Sequence, residues 1–293
     1  MKVLVAGATG AVGRHAVQQL LAAGHFVRAL SRRPETQAGP GSRESHAADL
    51  TKPATLAGSC TGIDAVIACA GASLHIGAFR QRASFHDVDL QGNLHLLAEA
   101  RRCRVGRFIF VSSAGANAML RTEYAQAHER FGEELAAAGI PYTIVRPTGF
   151  FSAFAGWLPW ARAGFVPLVG SGAARTNPIH EAEVAQTCVE ALFGRQECHT
   201  IGGPEIFTRQ RLAEMAFDAL GKPPRLAVVP PALLRAAGVL GRPFHPRLAA
   251  LLELGSSVAQ TDAIAPPYGM RRLGDYLRAL TAVAGSAPSS SRQ

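Results

Sequence analysis

Gly7, Gly10 and Gly13 space the run Gly7-Ala8-Thr9-Gly10-Ala11-Val12-Gly13, which follows directly on the apolar stretch Lys2 to Ala6. Glycines at this spacing permit a sharp turn and let backbone approach a ligand closely. Where a helix follows, its free N–H groups and the positive end of its dipole face an anion. The chemistry implied is capture of a dinucleotide pyrophosphate, with Gly7, Thr9, Gly10, Ala11, Val12 and Gly13 as contacts. The bland alternative is an ordinary strand-to-helix turn. A second segment bears on which dinucleotide would bind. An acid at the end of the second strand would hold a ribose 2′-hydroxyl, but Val27-Arg28-Ala29-Leu30-Ser31-Arg32-Arg33 carries none, and the next is Glu35. Ser31 and Arg32, with Arg33 as a further candidate, can instead bond and neutralise a 2′-phosphate. NADP(H) is therefore expected over NAD(H), unless these arginines merely end a strand.

The elements that must position these residues alternate. Apolar runs of strand length lie at Lys2 to Ala6, His25 to Ser31, Asp64 to Ala70, Arg107 to Ser112 and Tyr142 to Arg146. Helical patterns lie at Ala11 to Ala23, at Asp87 to Arg102 (with Leu90, Leu94, Leu97 and Ala98 as its stripe) and at Glu123 to Ala138. Residues 32–44 read as a loop. Such alternation predicts an α/β fold, a doubly wound parallel (Rossmann) sheet, over residues 1–150. After Pro147 the rhythm changes to aromatic-rich and proline-broken sequence. Helices are expected from Arg209 to Leu220 behind a Thr208 cap, after Pro230-Pro231, and from Arg247 to Leu254. These form a smaller, helix-rich substrate region at 151–283, partly interleaved with the core, and 284–293 is a Ser-rich tail expected to fray.

At 293 residues, 48% of them hydrophobic and 17% charged, the chain can bury a sizeable core. No apolar run is long enough to span a bilayer, and the N-terminus does not read as a signal peptide, so a cytoplasmic protein without membrane insertion is expected. The net charge of +9 comes from scattered arginines rather than a basic run, and no nucleic-acid partner is expected. Five cysteines without CxxC spacing argue against a disulfide framework or a metal site.

Several further segments carry a specific resemblance: Ala48-Asp49-Leu50, Ala68-Cys69-Ala70-Gly71, Phe110-Val111-Ser112-Ser113, Arg146-Pro147-Thr148-Gly149-Phe150-Phe151, Asn177-Pro178-Ile179-His180 and Ile201-Gly202-Gly203-Pro204. With the glycine turn they resemble the short-chain dehydrogenase/reductase superfamily, in its atypical, NmrA-like NAD(P)H-binding branch. The tail Ala265-Pro266-Pro267-Tyr268-Gly269, with Leu273 and Tyr276, is similar to divinyl chlorophyllide 8-vinyl reductases. The resemblance implies adenine contacts at Asp49 and Leu50, adenosine-side contacts at Ala70 and Gly71, and a cofactor contact at Ser112. It further implies a nicotinamide-supporting turn at Pro147, Thr148, Gly149 and Phe150, and places the two late motifs on the substrate side.

It also implies a catalytic Tyr-x-x-x-Lys on a helix, in which Tyr protonates the substrate while Lys, one turn on, lowers its pKa. Tyr124 matches the acid, Ser113 the residue that orients substrate, and His128 stands where the lysine should be. Histidine is mostly neutral near pH 7, so its field on the phenol is weaker than an ammonium's. The expected function is an NADPH-dependent oxidoreductase, monomeric or homodimeric, reducing a hydrophobic carbonyl or activated alkene. The alternative is an NADP(H)-binding redox sensor without turnover. Less specific candidates are His180 and Glu181, as substrate contacts or a helix cap. Phe150, Phe151, Phe154, Trp157 and Trp160 would form either an apolar substrate wall or plain core.

Overall fold

Val3, Leu4, Val5 and Ala6 are fully buried although successive residues of a strand face opposite ways, so this strand, β1 (Lys2–Ala6), is covered on both faces. The computed structural model describes residues 1–33, 43–74 and 83–285. Most of the expected 32–44 loop, and residues 286–293 of the expected tail, lie outside the described residues.

After β1 come α1 (Ala11–Ala22), β2 (Phe26–Ser31), β3 (Arg43–Ala47) and β4 (Ala65–Ala68), then α2 (Asn93–Arg102), β5 (Arg107–Val111), α3 (Glu123–Ala136) and β6 (Tyr142–Pro147). The second half holds α4 (Phe151–Ala155), α5 (Leu158–Arg162), β7 (Val166–Val169), β8 (Arg175–Thr176), α6 (Glu181–Glu190) and β9 (Cys198–Ile201). It closes with β10 (Phe207–Thr208), α7 (Arg209–Asp218), β11 (Leu226–Val229), α8 (Pro231–Gly241), α9 (Pro246–Gln260) and α10 (Leu273–Gly285). The main sheet is parallel throughout, in the order β3-β2-β1-β4-β5-β6-β9. This is the expected doubly wound Rossmann arrangement. Its order reverses between β1 and β4, where such sheets open a crevice at their carboxyl ends.

α1 and α6 cover one face, burying Val12, Val17, Leu20, Val184 and Cys188 with Val3, Val5 and Ile109. α2 and α3 cover the other, where Phe85, Phe108, Phe110 and Phe131 pack with Ala250, Leu251 and Leu254 of α9. A separate core joins α4, α5, α7 and α10 through Phe151, Phe154, Leu158, Leu212, Phe217 and Leu273. The sheet therefore draws its last strand, β9, and one covering helix, α6, from beyond residue 150.

Three expectations need correction. Arg43 and Glu44 are strand rather than loop: β3 pairs in parallel with β2 from Val27↔Arg43 to Ser31↔Ala47. Its half-buried, polar sequence RESHA lacks the apolar alternation that marks a strand. The helix expected from Asp87 opens as a π-turn over His86–Gly92, and Asn93 Nδ2 donates to the Asp89 carbonyl at 2.9 Å within it. The wider turn shifts the buried stripe to Leu90, Leu96, Leu97 and Ala100 and leaves Ala98 exposed. The third late helix continues past Leu254 to Gln260.

A cleft at the strand ends and the cluster beside it

The turn after β1 is drawn tight. Gly7 takes φ +81°, its N–H and that of Ala8 donate to the Leu30 carbonyl, and the Gly10 N–H donates back to Gly7 at 2.8 Å. A Cβ on Gly7 would stand 2.7 Å from the Ala70 nitrogen, and one on Gly13 would stand 2.1 Å from the Gly7 carbonyl oxygen. Gly7 thus lets the turn pass under the end of β4, and Gly13 lets α1 pack against the turn. The N-cap of α1 is Gly10, which brings no side chain to satisfy the helix's first N–H groups. Those groups are left for an anion.

Beyond the turn opens a cleft of about 310 Å³ at the point where the sheet order reverses. It brings together Gly7, Thr9, Gly10, Ser31, Arg32, Asp49, Leu50, Ala70 and Gly71, all expected from the sequence. Burial alone would raise the Asp49 carboxyl. Hydrogen bonds from the Thr51 hydroxyl (2.8 Å) and N–H (3.0 Å), helped by the nearby Arg32, outweigh that and hold it below its ordinary value. Arg32 is exposed at the cleft, and the Arg33 side chain does not line it. Ala11, Val12 and Gly13 form the first turn of α1 rather than the cleft lining. Pro147 ends β6, and Thr148, Gly149 and Phe150 follow it; the Thr148 hydroxyl donates to the Asn177 carbonyl and is occupied by that bond. Ser112 is buried with its Oγ unpartnered. A second depression, about 290 Å³, is lined by Arg101, Val105 and Pro141 and touches none of these residues.

Next to the cleft stands a cluster of polar groups. Tyr124 and His128 share one face of α3, ring centroids 4.3 Å apart, with Phe85 edge-on to Tyr124 and Phe110 stacked on His128. Thr122 caps this helix, accepting from the Ala125 N–H, which fixes where the tyrosine emerges. Burial, and then the charge of Asp89, push the Tyr124 phenol well above its ordinary value, while hydrogen bonding to Ser113 works the other way. His128 is buried, its two ring nitrogens make no hydrogen bond, and its Nε2 lies 3.6 Å from the Asp89 carboxylate.

Asp89 was not singled out from the sequence, where Asp87-Val88-Asp89 reads as ordinary acidic residues opening a helix. The π-turn brings it inward to 2% exposure, and both its oxygens accept from the Ala72 N–H at 3.2 and 3.3 Å. π-turns inside helices recur at functional sites, and this one supplies the charge at the centre of the cluster. Arg247, also missed, reaches the same place from α9 and lies over the Phe85 ring, 3.8 Å from its centroid.

The remaining candidates have structural work. His180 caps α6, its Nδ1 accepting from the Ala182 N–H at 3.0 Å, and burial lowers its pKa. Glu181 accepts from the Ser152 N–H. Phe151 and Phe154 are core, Trp157 packs against them, and Trp160 is at the surface with Phe165. The late motifs tie to each other: Asn177 Nδ2 donates to the carbonyls of Gly203 and Ala265, and its Oδ1 accepts from Ala265. Burial pushes the thiols of Cys60 and Cys69 up to about 12, which keeps them from acting as nucleophiles.

Comparison with known proteins agrees with this geometry. A family model described as NAD(P)H-binding matches residues 7–194. The chain is 30% identical over 251 residues to divinyl chlorophyllide a 8-vinyl-reductase of Zea mays, covering 78% of this chain and 61% of that protein's length. It is 26% identical over 285 residues to the photosystem II assembly factor Ycf39 of Synechocystis, covering 92% and 84%. The Escherichia coli NADPH-dependent quinone oxidoreductase QOR2, solved with NADPH, shares the fold at a TM-score of 0.72 and 18% identity, over 96% of this chain and all of that one. The chain belongs to the NAD(P)H-binding family, as an atypical, NmrA-like member of the short-chain dehydrogenase/reductase superfamily.

Proposed function

We propose that this chain is an NADPH-dependent reductase of a hydrophobic carbonyl or activated alkene. The observation that carries the proposal is the convergence of Tyr124, Ser113, His128 and Asp89 beside a cleft whose other residues suit a dinucleotide. The vinyl reductase activity of the Zea mays relative supports it.

The N–H groups at the start of α1 hold the pyrophosphate, Asp49 and Leu50 the adenine, and Ala70 and Gly71 the adenosine side. Ser31 and the exposed Arg32 take the 2′-phosphate. Pro147, Gly149 and Phe150, with the Thr148 backbone and Ser112, support the nicotinamide. NADPH, when bound, supplies hydride to the substrate. The chain's own task is the proton. Tyr124 carries the O–H that donates, and burial with the Asp89 charge raises its pKa, so the proton stays on the phenol until negative charge develops on the substrate. Ser113 orients the accepting group. His128, with Nε2 toward Asp89, packs its ring against Tyr124 and fixes where the phenol O–H points.

A second reading, a cofactor-binding regulator without turnover, is favoured by one observation: a histidine, not a lysine, stands beside Tyr124. Two measurements separate them. NADPH consumption with quinones, enones and aromatic aldehydes supports the reductase, whereas tight binding with no consumption supports the regulator. Arg32→Ala is expected to weaken NADPH binding about tenfold or more while leaving NADH nearly unchanged, since a lost charge-assisted bond to phosphate costs roughly 1.5–3 kcal/mol. Equal losses would remove the NADP preference.

A further inference from the structure

Arg247 is 5% exposed, and its Nη2 donates to the Ser73 carbonyl at 2.6 Å. Its Nε and Nη1 are buried and make no hydrogen bond. Burial lowers its pKa, and the fields of Asp89 and Glu123 only partly offset that. A guanidinium carries five N–H donors, and leaving most of them dry and unpaired costs free energy that a merely structural arginine has no reason to bear.

The position is also fixed. Ala250, Leu251 and Leu254 seat α9 in the core that contains Phe85, which locks the helix carrying Arg247. The guanidinium stacks on Phe85, and Phe85 meets Tyr124 edge-on at 5.3 Å between centroids. Ser73 follows closely on Gly71 and Ala72 of the cleft lining. A flat, stacked fork one ring away from the proton donor is preorganised for a planar anion.

We propose that Arg247 recognises a carboxylate carried by the substrate, which makes the substrate an amphipathic acid: an apolar body bearing the reducible group, and a carboxylate at its edge. This rests on the reductase reading for what the rest of the molecule does, but the anion site itself does not need turnover. Asp89 and Glu123 select against a phosphate dianion, which would meet two like charges where a carboxylate brings half the repulsion. The same donors could serve a phosphate of the cofactor, and the experiment separates the two.

The test uses the full chain loaded with NADPH and two probes, 2-naphthoate and its neutral partner 2-naphthamide, with affinities read by calorimetry. The native protein should bind naphthoate at least tenfold more tightly than naphthamide. Arg247→Met should lower naphthoate affinity about 10- to 100-fold, the cost of a charge-assisted hydrogen-bonded contact, and leave naphthamide and NADPH affinities unchanged. Arg247→Lys, which keeps the charge and loses the fork, should fall between them and guards against a methionine variant that fails to fold. The melting temperature of Arg247→Met without naphthoate should be equal to or above the native value, because a buried, under-bonded charge is removed. Equal affinity of the two probes in the native protein, or a matching loss of NADPH affinity in both variants, would overturn the proposal. Naphthoate bound through Arg247 without NADPH consumption on any substrate would leave the carboxylate site standing and remove the reductase reading instead.

Discussion

At the scale of single residues, the proposed chemistry rests on the Tyr124 phenol, whose pKa is raised by burial and by the charge of Asp89 in a site with no lysine next to it. Tyr124→Phe removes the proposed acid and should lower kcat by about 10²- to 10⁴-fold with little change in NADPH affinity, checked by steady-state rates beside cofactor titration. The raised phenol pKa also has a consequence for stability. The folded state favours the protonated form, so its contribution is fully present below the ordinary tyrosine value of 10.0 and is lost as pH rises from there through the higher folded value. Urea titrations of the native protein between pH 9 and 11 should therefore show a loss of stability that Tyr124→Phe reduces. Identical pH dependence in the two proteins would mean that the phenol is not held in its neutral form.

At the scale of elements, the first βαβ unit carries the glycine turn of the cleft and tolerates little change there. Gly13→Ala puts a methyl group 2.1 Å from the Gly7 carbonyl, a backbone collision that neither α1 nor the turn can relieve alone. A loss of about 3 kcal/mol or more in denaturant unfolding is expected, together with weakened NADPH binding. Thr208→Ala offers the contrast: the cap that accepts from the Arg211 N–H on α7 is removed, about 1 kcal/mol is lost, and NADPH affinity stays the same. The same division marks what was legible in the sequence. The glycine turn, the strands β1, β2, β5 and β6 and the Tyr124/His128 pair could be read, because each rests on local spacing. β3 could not, because RESHA lies at the sheet edge with polar residues on both faces. Nor could the inward turn of Asp89, since a π-turn is set by packing rather than by a 3.6-residue period. Arg247 is one arginine among many, and its importance arises from a contact with Ser73, 174 residues away in sequence.

At the scale of the whole molecule, the substrate region and the sheet are not separate bodies in sequence. β9 and α6 complete the sheet, α9 packs on α3, and Asn177 ties three distant segments together. Cofactor binding at the strand ends should accordingly protect the chain as a unit. Free NADPH at about 100 times its Kd should add roughly 2.7 kcal/mol to unfolding, with NADH adding less at the same concentration. Among the described residues, no helix is long and apolar enough to cross a membrane. The most direct test of the central claim is the rate of NADPH oxidation, followed by absorbance, with enones, quinones and aromatic aldehydes, for the native protein and Tyr124→Phe side by side. The expected result is oxidation of NADPH, faster than of NADH, that the phenylalanine variant loses. Tight NADPH binding with no oxidation on any of these substrates, or a variant as fast as the native protein, would contradict it.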